Sequence, residues 1–112
     1  MIKININGID WNIEFEDESD PDLGTEYIGR TVQWKQRIVV NKTVTPQIMR
    51  EVLIHELTHA TLASQGRYFQ QQFTTEDVCE FVGFNADNII EKADYIMGMF
   101  KKHEREGADR DE

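Results

Sequence analysis

His55-Glu56-Leu57-Thr58-His59 uses two of the chain's three histidines. On a helix, residues four apart lie one above the other, about 6 Å along the axis, so both imidazoles can reach a single ion. Glu56 stands about 60° around such a helix from His59, which sets its carboxylate beside the ion without making it a ligand. H-E-x-x-H therefore points to metal-assisted hydrolysis, with zinc as the expected ion, His55 and His59 as ligands and Glu56 as general base. Zinc lowers the pKa of its bound water toward about 7. Glu56 is then expected to take the proton as that water attacks a peptide carbonyl, and to pass it to the leaving amine.

The residues around the motif sharpen this expectation. From Val52 to Ser64, Glu56 is the one formally charged side chain, a pattern that reads as a helix buried nearly all round. Clustered there, a carboxylate and two imidazoles need partners, and one divalent cation serves all three. A catalytic zinc takes three protein ligands and keeps one position open, so two histidines do not suffice. The metzincin arrangement needs a glycine at 62 and a histidine at 65, where this chain has Leu62 and Gln65. Glu76 and Glu80 remain as candidates, four apart on one face of a following helix. Glu76 could ligate while Glu80 accepts a hydrogen bond from a ligating imidazole. His103 is the rival third ligand, but it sits among Lys101, Lys102, Glu104 and Arg105 and reads as a surface residue. Tyr68 lies between the two motifs, where its hydroxyl could stabilise a developing oxyanion.

His55-Glu56-Leu57-Thr58-His59 followed by Glu76-x-x-x-Glu80-Phe81-x-Gly83 resembles the gluzincin metallopeptidases, whose second helix carries an E-x-x-x-[DE] pattern. The short chain, the strands before the helix and the His-Glu-Leu-Thr-His-Ala run make it most similar to minimal gluzincins and to phage-associated relatives of the ImmA/IrrE metallopeptidases. The resemblance covers roughly residues 37–100. It implies Glu76 as third zinc ligand, Glu80 as the acid behind His55, and a polypeptide substrate.

Elements able to hold these groups can be read in order. Ile2, Ile4 and Ile6 alternate with polar residues, Asn7-Gly8 suits a tight type I′ turn, and Ile9, Trp11, Ile13 and Phe15 form the returning face. Residues 16–24 are acidic, contain Pro21 and Gly24, and read as an exposed connection. Two further strands are expected over 27–34 and 37–41, the second as a sheet edge able to pair with an extended substrate. Thr45-Pro46 is a helix start, and the motif helix is predicted from 46 to about 65 with Gly66 as its stop. Thr74-Thr75-Glu76-Asp77 begins the next helix, with Val78, Phe81 and Val82 on its apolar side. A kink or interruption is expected over 83–88, followed by a stripe of Ile89, Ala93, Ile96, Met97 and Phe100.

The fold class that follows is α+β: a small, mostly antiparallel sheet of three or four strands packed on the motif helix, with a C-terminal helical segment. With 112 residues the chain makes one domain, expected over 1–103, and a charged, disordered tail over 104–112. A net charge of −9 argues against nucleic acid or an anionic membrane as partner. Met1 leads directly into the first alternating segment, with no signal peptide and no membrane-spanning run, so a cytoplasmic location is expected. The lone Cys79 suits a reducing compartment and reads as core filling. Two rivals stand beside the peptidase: a phage or prophage accessory module in which zinc only holds two helices together, and a metal-free interaction domain.

Overall fold

Ile2, Ile4 and Ile6 do point one way. The computed structural model describes residues 1–66 and 72–110, with side chains as far as 106. Strand β1 (Ile2–Ile6) turns through Asn7 (φ 50°) and Gly8 (φ 88°) into β2 (Ile9–Glu16), with Ile4 opposite Trp11 and Ile6 opposite Ile9. Two successive left-handed residues are what a type I′ turn demands, and asparagine and glycine tolerate them best. Strand β3 (Gly29–Val32), a single 3-10 turn (Gln33–Lys35) and β4 (Arg37–Asn41) complete the sheet.

The strand order is β1-β2-β4-β3, which makes the sheet mixed. β1–β2 and β3–β4 run antiparallel, while β2 and β4 are parallel, with Ile13 beside Ile38 and Phe15 beside Val40. This corrects the expectation that residues 37–41 form an edge. Ile38, Val39 and Val40 are all fully buried. Three consecutive apolar residues need cover on both faces of a sheet, which a central strand has and an edge strand lacks. The edge beside the motif helix is β3 instead.

Alternation along the strands gives the sheet two different faces. Ile2, Ile4, Ile6, Trp11, Ile13, Ile38 and Val40 pack against the helices. On the other face, Arg37 and Val39 are two apart on β4 and so point the same way. Residues 17–28 cover that side and bury Leu23. The expectation of a merely exposed connection is therefore corrected. Arg37 donates to Asp20 at 2.6 and 2.9 Å, to Asp22 at 2.7 Å and to Glu14, and Lys35 reaches Asp22 at 3.0 Å. Ion pairs and the buried Leu23 together hold this segment down.

Helix α1 (Pro46–Ser64) begins at Thr45, whose hydroxyl accepts from the Ile48 amide at 3.4 Å, and ends before Gly66 at φ 73°. Its buried stripe is Met49, Val52, Leu53, Glu56, Leu57, Ala60 and Thr61. Helix α2 (Thr75–Arg110) starts with a reciprocal cap: the Thr74 hydroxyl accepts from the Asp77 amide at 3.1 Å, and the Asp77 carboxylate accepts from the Thr74 amide at 2.9 Å.

The interruption expected over 83–88 is corrected: α2 continues unbroken there, and its helical backbone reaches Arg110. Lys, Glu and Arg dominate the last turns, and these are good helix formers with no proline to stop them. Ile89, Ala93, Ile96 and Met97 are buried against α1 and the sheet, whereas Val78 and Val82 are each 51% exposed and Phe84 81%. Cys79 is exposed as well and fills no core. At about 54 Å, a 36-residue helix is nearly twice as long as α1, and of the apolar side chains in its first turns Phe81 packs against the core while Val78 and Val82 stay exposed. Among the described residues, no helix is long and apolar enough to cross a membrane.

Candidate metal and catalytic site

Helical spacing brings His55 and His59 together on α1. Their ring centroids lie 4.9 Å apart, edge to face. Both rings are open to solvent, with the His55 side chain 67% exposed. Burial nearly all round the helix, expected from its apolar composition, is corrected: α1 covers the sheet on one side only. The imidazoles project from the open side, while Glu56 turns inward and is 6% exposed. A buried carboxylate still needs a donor. The Thr31 hydroxyl supplies it, 2.8 Å from Glu56 Oε1 and 3.1 Å from the Glu56 backbone carbonyl. Oε2 lies 3.9 Å from His55 Nε2.

Strand β3 is what makes this possible. Thr31 and Gly29 are two apart and share the face toward α1. A methyl group on Gly29 would sit 2.3 Å from Val52 Cγ1, 3.3 Å from Glu56 Cγ and 3.4 Å from Glu56 Oε2. Only a residue without Cβ lets the helix approach so closely. Neither Gly29 nor Thr31 was singled out by sequence reasoning. Their signal lay in the strand expected over 27–34, inside which a glycine marks a close backbone approach.

Two clefts open on this side of the molecule. One, of about 210 Å³, is bounded by Tyr27, Gly29, Arg30, Thr31, His55, Glu56 and His59. The Arg30 guanidinium lies over the Tyr27 ring, 5.2 Å from its centroid. The second, of about 380 Å³, is mainly apolar, lined by Tyr27, Ile28, Ile48 and Val52 together with Glu26, Glu51, His55 and Glu56. Tyr27, Ile28 and Ile48 are 45%, 52% and 41% exposed there. Exposed apolar side chains converging on polar groups are the usual form of a small binding site.

Glu76 and Glu80 stand elsewhere. Both are exposed on the first turns of α2, and Glu80 borders a separate cleft with Gln65, Phe81, Phe84 and Asn85. Two bonds fix how the helices meet: Arg50 Nε to Asp94 at 2.9 Å, and Gln65 Nε2 to Asn85 at 2.9 Å. At 100° per residue, His55 and His59 lie about 140–180° around α1 from Arg50, on the side turned away from α2. Along the axis, Glu76 is about 14 Å beyond the Gln65–Asn85 bond and His59 about 9 Å before it. Among the described residues no group of three His, Cys, Asp or Glu side chains gathers to hold an ion. His103 is also remote, facing a cleft lined by Phe15, Lys42, Phe100 and Glu104. Tyr68 lies outside the described residues.

The imidazole pair fits a divalent transition metal in donor type, spacing and access. Among the described side chains, His55 and His59 could hold such an ion with Glu56 beside them, and no third candidate ligand joins them. The chain matches no family model, no curated protein and no solved structure.

Proposed function

We propose that the protein is a zinc-dependent peptidase. One observation carries this reading: two exposed imidazoles share one helix face, and a buried carboxylate, held by a donor from the neighbouring strand, presents its second oxygen beside them. A purely structural histidine pair has no need of such a carboxylate. His55 and His59 would hold the ion. When bound, zinc supplies Lewis acidity toward water and the substrate carbonyl. Glu56 Oε2 is the proton-accepting atom on the attacking water's side and returns that proton to the leaving amine. The unpaired side of β3 can align an extended chain, and the Tyr27–Ile48 cleft accepts an apolar side chain next to the bond cleaved. A polypeptide is the substrate, in a cytoplasmic setting.

Glu76 enters as third ligand, with Glu80 behind His55, on the gluzincin resemblance. Reaching the imidazoles requires the first turns of α2 to leave their present line, in which Val78 and Val82 are half exposed. Those exposed side chains and Phe84 support the second reading, a zinc-bearing accessory module that binds a protein and cleaves nothing. Metal-dependent turnover separates the two. Cleavage of an unstructured polypeptide should be abolished by chelation and restored by one equivalent of zinc, and zinc binding without any cleavage contradicts the peptidase.

A further inference from the structure

We infer that Thr31 is a positioning residue for Glu56, fixing which carboxylate oxygen is left to move the proton. This rests on the peptidase reading and deepens it.

A threonine hydroxyl has one proton to donate. Two acceptors lie within reach, Glu56 Oε1 at 2.8 Å and the Glu56 backbone carbonyl at 3.1 Å. The carbonyl is already committed to the α1 ladder, and the carboxylate is charged and nearer, so the proton goes to Oε1. Among the described residues this carboxylate accepts no other hydrogen bond. Oε1 is thereby committed. Oε2 is left with no hydrogen bond there, and it faces the His55 ring at 3.9 Å.

The clamp has a rigid base. Thr31 pairs with Ile38 of the central strand β4, and Ile38 is fully buried. Gly29, two residues earlier, keeps α1 close enough for the bond to form. The carboxylate is therefore oriented from the sheet as well as from its own helix. A free glutamate rotates about three side-chain bonds, and a misplacement of about 1 Å can cost about 100-fold in rate.

Three variants test this: Thr31→Val, which keeps shape and removes the hydroxyl; Thr31→Ser, which restores the hydroxyl; and Thr31→Ala, used in place of valine if that variant does not fold. Turnover of a quenched peptide with zinc present is one readout. Zinc affinity and the side-chain carboxyl ¹³C resonance of Glu56 in metal-free protein are the others. The inference expects kcat to fall about 10–100-fold in Thr31→Val, with KM and zinc affinity within about twofold of wild type, and to recover in Thr31→Ser. The Glu56 resonance should move in the valine variant and return in the serine one. Wild-type turnover in Thr31→Val, an unmoved resonance, or no recovery in Thr31→Ser overturns it. If the wild-type protein cleaves nothing, the peptidase reading fails on its own, and the resonance still decides whether Thr31 holds Glu56.

Discussion

Glu56 is the residue on which burial and chemistry conflict. Carboxylates are rarely this buried without a partner, and its partner here is a neutral hydroxyl. H-E-x-x-H put Glu56 forward as a candidate general base but could not show its inward turn, because helical phase places a side chain on a face and says nothing of what faces it. Pairing of the imidazoles was legible for the opposite reason: four-residue spacing sets it locally. Removing either imidazole has a definite consequence. His59→Ala should weaken zinc binding by at least about 100-fold with the fold intact, and an unchanged affinity in a competition titration would move the metal elsewhere.

Between elements, the contact of β3 with α1 decides the geometry. Gly29→Ala puts a methyl where Val52 already stands, so the helix has to move away from the strand at a cost of about 1–3 kcal/mol. Val52→Ala alone leaves a small void, yet in the Gly29→Ala background it relieves the clash. The double variant should therefore be more stable than the sum of the single effects by about 1 kcal/mol in urea unfolding, and simple additivity would show that the contact is not tight. The boundaries of α1 and the hairpin were legible because Thr45-Pro46, Gly66 and Asn7-Gly8 act locally. Chain order within the sheet was not, since placing β4 between β2 and β3 depends on burial of both faces of Ile38-Val39-Val40.

The α2 arrangement shows the same limit. Capping at Thr74 and the stripe from Ile89 to Met97 are written in the residues, but the register of α2 against α1 rests on long-range packing of that stripe on Leu53, Leu57 and Ala60, with Arg50–Asp94 bridging at the surface. Where Glu76 comes to rest depends on that register. If α2 shifts to complete the site, Glu76→Gln should lower zinc affinity sharply and Glu80→Gln only about 10–100-fold. Equal or absent effects would assign the remaining ligand to another group.

At the scale of the molecule, residues 17–28 carry Tyr27 toward the cleft and are held from beneath by Arg37. Hydrogen bonding to Arg37 holds the Asp20 carboxyl below its ordinary range, and the Lys35 ammonium, then Arg37, does the same for Asp22. Arg37 in turn holds its proton more firmly than usual, chiefly through Asp20. Because both carboxyl pKa values are lowered on folding, their contribution is present above the unfolded value of about 3.9 and is lost as pH falls through the lower folded values. Arg37→Met should cost about 2–4 kcal/mol at pH 7 and flatten the loss of stability below about pH 4. Asp22 keeps Lys35, so the slope shrinks without vanishing. Urea unfolding between pH 3 and 7 reads both effects, and a variant with the wild-type acid slope contradicts the assignment.

Glu56→Gln tests the central claim most directly. The amide keeps the shape and can still accept from Thr31, but it cannot take a proton from water. Peptide hydrolysis should fall at least about 100-fold while one zinc per chain stays bound. A variant that hydrolyses peptide at the wild-type rate with its zinc in place would contradict the account.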